Sequence, residues 1–328
     1  MKRIALGLLA ATALTFSAHA EPAIVYDLGG KFDKSFNEAA FTGAEKYKEE
    51  TGNSYREFEI QNDAQREQAL RKFAEDGNSP IVVAGFSFGQ AVDTVAAEFP
   101  DTKFAIIDMV VDQPNVRSVV FKEQEGSYLA GIMAAKASET GTVGFVGGMG
   151  IPLISRFACG YKGGVMAANA DAKVIENMTG DTPAAWNDPV KGGEITKAQI
   201  AQGADVVYHA AGGTGVGVIQ AAADAGKLAI GVDSNQNGLQ PGKVLTSMMK
   251  RVDVAVYNAF KDGAEGGDWT TGFNVLGLAE GGVDLAMDDN NKPLVSDDMM
   301  KAVEDAKAMI ISGEVVVHDY MSDESCPY

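Results

Sequence analysis

The sequence predicts an α/β protein built from two similar lobes, each a doubly wound, mostly parallel sheet flanked by helices. Short apolar runs rich in Val and Ile alternate with amphipathic stretches, and this alternation is typical of parallel sheets covered by helices on both faces. It runs through about five strands, pauses around residues 112–122 and starts again. The restart, in a chain of 328 residues that exceeds one ordinary core, predicts a cleft between two lobes.

The predicted strands and helices follow each other at regular spacing. Ten strands are predicted at residues 23–26, 55–60, 81–84, 104–107, 116–121, 143–146, 174–178, 206–208, 228–231 and 244–247. A first helix is predicted from Glu38 onward, and further helices are predicted at residues 63–75, 89–98, 125–138, 155–170, 191–202 and 216–225.

The end of the chain does not continue the regular alternation of strands and helices. A helix at residues 252–262 precedes a strand at 272–278, and a polar turn leads into a last helix at 297–312. We interpret this part as crossing segments that return the chain to each lobe. The predicted lobes are residues 21–121 with 250–275 and residues 122–249 with 276–328.

Residues 1–20 are predicted to be a cleaved export signal. Lys2 and Arg3 give a basic start, residues 4–16 form an apolar core too short to span a membrane, and Ala-His-Ala before Glu21 forms a small-x-small cleavage site. Cleavage leaves 25 basic against 45 acidic residues, a net charge of about −20. This acidity argues against a nucleic-acid partner, because phosphates require a basic surface.

The two cysteines, Cys159 and Cys326, are too few for a disulfide framework. In an oxidising compartment they either form one bridge that pins the tail to the body or remain apart. The sequence leaves both alternatives open, because it does not set the distance between the two Cα atoms.

The sequence contains no convincing catalytic set. The histidines after the export signal, His209 and His318, are far apart and lack metal-ligand spacing. Residues 85–89 read Gly-Phe-Ser-Phe-Gly, but the Gly-x-Ser-x-Gly pattern alone does not make a nucleophile elbow. We therefore expect a protein that is not an enzyme and uses no metal or other cofactor.

A polar cluster after the first strand is the main candidate for ligand contact. Asp33, Ser35, Phe36 and Asn37 lie between that strand and the first helix, at the edge where open α/β sheets bind ligands. Ser35 and Asn37 also fit simple helix caps. Phe36 either stacks on a planar ligand or packs as a buried hydrophobic staple.

Further candidates lie at the ends of later strands. Asp108 and Asp233 each follow a predicted strand, and Lys250 lies just beyond another. Acidic residues at strand ends can bind vicinal hydroxyls, as the ribose-binding carboxylate of nucleotide folds does, although Asp is also a common turn residue. Together with Phe36 and Gly213, these residues form the kind of polar ring that binds a sugar.

A glycine-rich turn and a tryptophan loop complete the candidates. Residues 212–217 read Gly-Gly-Thr-Gly-Val-Gly, which lacks the spacing of a dinucleotide fingerprint. The turn better fits a place where backbone at Gly213 approaches a neutral polar ligand. Trp186 lies in a loop before a helix and either packs under that loop or faces the cleft, where it would cover one face of a planar base.

On these residues the chain resembles the basic membrane protein (Bmp) family of ABC-transporter substrate-binding proteins, which includes a purine nucleoside receptor. The most specific motif is Gly-Gly-Lys-Phe-Asp-Lys-Ser-Phe-Asn at residues 29–37, close to the family's Asp-Lys-Ser-Phe-Asn signature. The likeness covers nearly all of the chain after the export signal. Further matches are Gly-Ser-Tyr-Leu-Ala-Gly at 126–131, Val-Gly-Phe-Val-Gly-Gly at 143–148, Trp-Asn-Asp-Pro at 186–189 with Lys-Gly at 191–192, and Gly-Val-Asp at 231–233.

The resemblance implies a two-lobed type I periplasmic binding fold that closes on a purine nucleoside. It further implies a monomer that delivers this ligand to an ABC permease in the inner membrane. Phe36 matches the aromatic on one face of the base, and Trp186 stands where relatives usually carry Phe. Asp108, Asp233 and Lys250 match ribose-binding groups. The predicted ligand-binding residues are Asp33, Ser35, Phe36, Asn37, Asp108, Trp186, Gly213, Asp233 and Lys250, with Asp27 an alternative to Asp33 at the base edge.

Two departures from the family pattern matter. Many members carry a lipobox cysteine at the cleavage site, whereas residues 18–21 read Ala-His-Ala-Glu, so we expect a free periplasmic protein rather than a lipoprotein. Trp186 in place of Phe leaves the ligand open. The alternative is a receptor for another sugar-containing or small polar ligand that feeds a membrane sensor. An exported nucleoside hydrolase is disfavoured, since the sequence lacks a clustered Asp/His set.

Overall fold

The computed structural model describes residues 20–264 and 266–328. Apart from Ala20, the predicted export signal lies outside the described residues. The described chain forms two six-stranded sheets. Their strands are β1 (Ala23–Tyr26), β2 (Arg56–Glu59), β3 (Ile81–Ala84), β4 (Phe104–Ile107), β5 (Val116–Phe121), β6 (Thr142–Met149), β7 (Lys173–Gly180), β8 (Val206–Ala210), β9 (Leu228–Asp233), β10 (Val244–Lys250), β11 (Gly272–Leu276) and β12 (Val283–Leu285).

Helices pack against the two sheets, and several of them also pair with each other, as α1 does with α8 and α4 with α5. Among the described residues, no helix combines the length and the apolar character needed to cross a membrane. The helices are α1 (Phe36–Thr51), α2 (Gln65–Glu75), α3 (Gly89–Glu98), α4 (Glu123–Ala137), α5 (Pro152–Ala168), α6 (Pro189–Ala201), α7 (Gly215–Asp224), α8 (Val252–Gly263) and α9 (Asp297–Ser312).

The two sheets share one topology. The first has the strand order β11-β5-β4-β3-β1-β2 and the second β12-β10-β9-β8-β6-β7, so that β6 corresponds to β1 and β9 to β4. All neighbouring strands are parallel except β12, which is antiparallel to β10. Strands β1, β3 and β4 are buried along their whole length, as expected for strands covered on both faces. The prediction of two doubly wound, mostly parallel lobes is confirmed.

The chain crosses between the sheets three times. It leaves the first sheet after β5, returns to it between β10 and β11, and leaves it again before β12. Helix α8 packs on α1, beside the first sheet, whereas α4 packs on α5, α9 and β10. The lobe boundaries themselves, at residues 121, 250 and 275, stay a prediction.

The topology fixes where a ligand site can form. In each sheet the strand order reverses at the first strand of the lobe, since β2 and β3 lie on opposite sides of β1, and β7 and β8 lie on opposite sides of β6. Ligands of open α/β sheets bind at the carboxyl ends of such strands. The loops after β1, β3, β4, β6, β8 and β9 therefore border any cleft between the lobes.

Some predicted elements differ at their ends. Helix α1 begins at Phe36 rather than Glu38. The loop before it supplies the helix cap, a role that the sequence suggested for Ser35 and Asn37. Helix α5 begins with Pro152, three residues before its predicted start, since proline at the first helical position loses no hydrogen bond. Strand β12 was not predicted, because three residues at a sheet edge leave no periodic pattern.

A disulfide joins Cys159 in α5 to Cys326 near the carboxyl terminus, with a Cα–Cα distance of 5.6 Å. The bridge spans 167 residues of sequence. Cys159 is buried, and Cys326 is half-buried near the surface. Of the two alternatives that the sequence left open, the structure therefore has the bridge that pins the tail to the body.

We expect Cys326→Ser to lower the free energy of unfolding by about 2–5 kcal/mol, because the bridge closes a long loop and restricts the unfolded chain. Urea unfolding of the variant and of the wild-type protein, each with and without reductant, measures this. Reductant should lower the wild-type midpoint and leave that of the variant unchanged. A wild-type midpoint that does not respond to reductant would contradict the prediction.

Candidate functional site

A cleft between the carboxyl ends of the two sheets is the candidate ligand site. It contains about 620 Å³ of space free of protein atoms, part of it at the open mouth. Its lining combines aromatic and aliphatic side chains with carboxylates, one asparagine amide and one lysine ammonium. A mostly apolar wall with a few convergent polar groups is typical of sites for small organic molecules.

Asp33 provides the cap of helix α1. Its carboxylate accepts hydrogen bonds from the backbone N–H groups of Ser35 at 2.8 Å, Asn37 at 3.0 Å and Glu38 at 3.1 Å. These are donors at a helix start that lack intrahelical partners. The Ser35 side chain makes no capping bond, so its hydroxyl is available for another contact.

Ser35, whose hydroxyl is not used for capping, connects the two lobes directly. Its hydroxyl donates to Asp233 Oδ2 at 2.5 Å, and the Ser234 hydroxyl donates to the Ser35 carbonyl oxygen at 2.8 Å. Ser35 belongs to the loop before α1, whereas Asp233 ends β9 in the second sheet. The loop before α1 therefore lies against the second lobe, and the cleft is in a closed arrangement.

Gln236 strengthens this closure from the second lobe. Its amide nitrogen donates to the Lys34 carbonyl oxygen at 2.9 Å, while its Oε1 accepts from the Val232 N–H at 2.9 Å and lies 2.8 Å from His209 Nε2. Burial lowers the pKa of His209 to about 4, so the ring is neutral and Nε2–H is the donor. His209 is thus a buried strand-end residue with a structural role.

Asp108 and Asp233 occupy equivalent positions in the two lobes. Asp108 follows β4 with φ of 70°, and Asp233 ends β9 with φ of 63°. Such left-handed conformations are uncommon outside glycine, and Asp adopts them more readily than most residues. Backbone strain of this kind clusters at ligand sites. Both carboxylates face the cleft.

Lys250, the last residue of β10, supplies a positive charge among these acids. Its ammonium is 2.7 Å from Asp108 Oδ2 and 2.9 Å from Glu123 Oε1, and its side chain is 2% exposed. Burial alone would lower the pKa of Lys250, but the carboxylates of Asp108, Glu123 and Asp233 raise it above its ordinary value. The ammonium therefore stays charged.

The same burial acts on the acids. It raises the pKa of Asp108 to about 6 against the opposing effect of the Lys250 ammonium. Burial likewise raises the pKa of Asp233, while Lys250 and the Ser35 hydroxyl lower it. The cleft thus holds carboxylates whose ionisation is sensitive to small changes in their surroundings.

Two buried acceptor atoms in the cleft lack a partner among the described residues. Asp108 Oδ1 and Asn37 Oδ1 accept no hydrogen bond. The Asn37 side chain cannot turn to correct this, because its Nδ2 donates to the carbonyl oxygens of Asp27 at 3.3 Å and Gly30 at 3.2 Å. Buried polar atoms are normally paired, so these oxygens are suited to ligand donors.

Phe36 and Trp186 both line the cleft, one from each lobe. The Phe36 ring lies beside the Lys250 ammonium, with its centroid 5.3 Å from Nζ. Trp186 is half-buried and lies against glycine backbone, since a Cβ at Gly148 would overlap its six-membered ring. Of the alternatives left open for these two aromatics, the structure favours exposure to the cleft.

Seven of the nine predicted ligand residues line the cleft. Ser35 does not, because its hydroxyl is engaged between the lobes, and Gly213 does not, since it lies beside the Trp186 carbonyl oxygen. The neighbouring Gly212 lines the cleft instead. The seven are Asp33, Phe36, Asn37, Asp108, Trp186, Asp233 and Lys250.

Sequence reasoning missed much of the apolar wall. Gly85 and Phe86 follow β3, so the strand-end rule that selected Asp108 also points to them. Phe157 lies inside helix α5, where no sequence signal separates a cleft residue from a core residue. The lining residues not predicted are Leu28, Gly85, Phe86, Leu153, Ile154, Phe157, Ala210, Gly212 and Val232, together with Asp27, the alternative at the base edge.

We expect Gly148→Ala to displace the Trp186 ring and to lower the free energy of unfolding by about 1–3 kcal/mol through overpacking. Emission spectra in a Trp269→Phe background, which leaves Trp186 as the single tryptophan, report the displacement. Gly180→Ala is the matched control, because a Cβ there lies at an ordinary 3.6 Å from the Ala185 Cβ. Equal emission spectra for the two variants would contradict the packing described here.

Comparison with known proteins agrees with this architecture. Residues 21–320 match the family model described as Bmp, ABC transporter substrate-binding protein PnrA-like. An ABC transporter nucleoside-binding protein, BmpA, from Lactococcus lactis subsp. cremoris is 34% identical over 90% of this chain and 88% of its own. A CD4+ T-cell-stimulating antigen from Listeria monocytogenes is 33% identical over 90% and 87%.

Solved structures show the same fold. An ABC transporter solute-binding protein from Aeropyrum pernix K1 superposes with a TM-score of 0.81 at 30% identity, over 91% of this chain and 93% of its own. A solute-binding protein from Conexibacter woesei superposes with a TM-score of 0.72 at 24% identity, over 92% of this chain and 99% of its own. The chain belongs to the Bmp family of ABC transporter substrate-binding proteins.

Proposed function

We propose that this substrate-binding protein captures a purine nucleoside between its lobes and delivers it to an ABC permease in the inner membrane. The family supports the receptor role. The name of the Lactococcus lactis relative, a nucleoside-binding protein, supports the ligand class. In this proposal the protein is not an enzyme and works as an exported periplasmic monomer whose signal at residues 1–20 is removed.

The observation that carries the proposal is the pair of buried acceptors in an aromatic cleft. Asp108 Oδ1 and Asn37 Oδ1 have no donor among the described residues, and leaving such atoms unpaired costs about 1–3 kcal/mol each. A nucleoside offers ribose hydroxyls and base N–H groups as donors. It also offers a flat base for the rings of Phe36 and Trp186.

The carboxylates suit the sugar. Asp108 and Asp233 approach from opposite lobes, and ionised acceptors form the stronger hydrogen bonds to hydroxyl groups. Lys250 donates to Asp108 Oδ2 and leaves Oδ1 for the ligand. In this proposal these three side chains bind the ribose hydroxyls.

The base lies between Phe36 and Trp186 in this arrangement, with the Asn37 carbonyl oxygen at its edge. Asp33 and Ser35 act indirectly, the first by capping α1 and the second by holding the lobes together. Backbone of the turn that contains Gly212 and Gly213 completes the wall on the side of Trp186.

Small molecules released on denaturing the purified protein provide the first test. Closed binding proteins often retain their ligand, so mass spectrometry of the extract should show a purine nucleoside. Calorimetry with that nucleoside, the free base and ribose should then give binding to the nucleoside and far weaker binding to either part. A sugar or another molecule without a planar ring would retain the receptor role and overturn the nucleoside assignment.

We expect Asp233→Asn to weaken nucleoside binding by roughly 100-fold, because the site loses a charged acceptor and the Ser35 hydroxyl is left with a neutral, weaker acceptor across the lobes. Calorimetry measures the change, and circular dichroism checks the fold. Asp224→Asn is the matched control, since Asp224 lies exposed at the end of α7 and pairs with Gln220. Unchanged affinity in Asp233→Asn would remove this residue from the site.

Affinity should also fall on acidification. Ligand donors stabilise the Asp108 carboxylate, so binding favours its ionised form. The pKa of Asp108 in the free protein is about 6. Affinity is therefore expected to be level above about pH 7 and to decline by up to about tenfold per pH unit below pH 6. Calorimetry at pH 5, 6, 7 and 8 measures the profile, and a flat profile would contradict the proposed role of Asp108.

A further inference from the structure

The carboxyl-terminal tail, residues 313–328, packs along helix α5 and makes a specific ion pair there. The Arg156 guanidinium contacts both oxygens of the Asp319 carboxylate, through Nε at 2.8 Å and Nη2 at 2.9 Å. One turn further along α5, Cys159 is bonded to Cys326. Two independent contacts therefore hold the tail against this helix.

The other side of the same guanidinium faces the junction of the lobes. Arg156 Nη1 donates to Glu123 Oε2 at 2.9 Å and to the Phe121 carbonyl oxygen at 2.9 Å. Phe121 ends β5 and Glu123 begins α4, so both lie where the chain first crosses between the sheets. Glu123 is fully buried.

Glu123 in turn reaches the cleft. Its Oε1 lies 2.9 Å from the Lys250 ammonium, which donates to Asp108 Oδ2 at 2.7 Å. Five side chains of alternating charge thus run from the tail to the ligand cleft, a set that we call the ion-pair relay. In order they are Asp319, Arg156, Glu123, Lys250 and Asp108.

The alternation makes the positions of the charges interdependent. A buried charge is tolerated only while opposite charges surround it, and each inner member of the relay lies between two of them. Without Asp319, the Arg156 guanidinium has only one carboxylate left, that of Glu123. Glu123 would then be drawn toward Arg156 and away from Lys250, and the ammonium would shift within the cleft toward Asp108, its other carboxylate partner.

Helix α5 offers a second path from the tail to the cleft. Leu153, Ile154 and Phe157 line the cleft, while Arg156 and Cys159 on the same helix contact the tail. The tail thus braces the helix that forms one wall of the site.

We propose that the carboxyl-terminal tail is a positioning element of the ligand site, with Asp319, Arg156 and Glu123 placing the Lys250 ammonium against Asp108. This inference rests on the proposed function for its effect on ligand affinity. The relay itself exists without ligand, and its effect on Asp108 can be measured in the free protein.

Asp319→Asn tests the proposal in the full-length protein. The amide keeps the size of the side chain and an oxygen that can accept from the Met321 N–H, as Asp319 does at 2.9 Å. Asp323→Asn is the matched control, with the same chemical change in the same tail. Asp323 pairs with His318 and Ser325 and does not contact Arg156 in the structure.

The first readout is nucleoside affinity, measured by calorimetry with guanosine, inosine and adenosine at pH 8 and pH 5. We expect Asp319→Asn to bind about tenfold more weakly than wild type at pH 8, while Asp323→Asn binds as wild type does. The difference should shrink at pH 5, because Asp108 then stays ionised to lower pH in the variant. A tail that only stabilises the fold would weaken binding by the same factor at both pH values.

The second readout is the titration of Asp108 in the free protein, followed by carboxyl carbon NMR and assigned by its loss in Asp108→Asn. The charged groups that face Asp108 are Lys250, Glu123 and Asp233. Removing the negative charge of Asp319 and shifting Glu123 both favour the ionised form, so the midpoint should fall by roughly 0.5. Asp323→Asn should leave it unchanged.

The outcomes separate the two claims. Weaker binding at pH 8 together with a lower Asp108 midpoint, in Asp319→Asn alone, supports the relay. A wild-type value for either readout, or equal effects in Asp319→Asn and Asp323→Asn, overturns it. If wild type binds none of the nucleosides, the proposed function fails, and the Asp108 midpoint alone then supports or overturns the relay.

Discussion

The buried ammonium of Lys250 constrains the junction of the two lobes more than any other charge described here. It ends a strand of the second sheet and contacts Asp108, which follows a strand of the first. Taking an ammonium out of water costs several kcal/mol unless opposite charges compensate it. The acids around Lys250 meet this requirement, and one of them, Glu123, lies where the chain first crosses between the lobes. The ion pairs that balance the charge of Lys250 therefore also connect the two lobes.

The closed arrangement depends on which residue caps helix α1, in the short loop that contains Asp33 and Ser35. Asp33 accepts the free N–H groups of α1, so Ser35 is released to bind Asp233 in the opposite lobe. Gln236 adds a contact to the Lys34 carbonyl oxygen while it pairs with the buried ring of His209. The helix cap and the contact between the lobes are thus coupled, since a single residue change at Asp33 would alter both.

The fold could be predicted because the alternation of strands and helices repeats twice, and the acids at strand ends could be found because parallel strands align their carboxyl ends at one edge. Asp108 and Asp233 follow from that rule. The partners of Lys250 could not be found in this way. Glu123 and Arg156 lie in helices, where one charged residue looks like another until the packing of α4 on α5 brings them together. The capping role of Asp33 was equally hidden, because the sequence pointed to Ser35 and Asn37 as caps, and Ser, Asn and Asp are all preferred there.

The local charge also limits what the closed cleft can hold. Asp108, Asp233 and Glu123 place three carboxylates around the single ammonium of Lys250. The Asp233 carboxylate raises the pKa of Asp108, whereas the Lys250 ammonium lowers it. A ligand with a phosphate group would add to this negative field in a place shielded from solvent. An uncharged molecule with hydroxyl and N–H donors reduces it, because its hydrogen bonds spread the charge of the carboxylates. On electrostatic grounds the site therefore favours an uncharged ligand over the same ligand with a phosphate group.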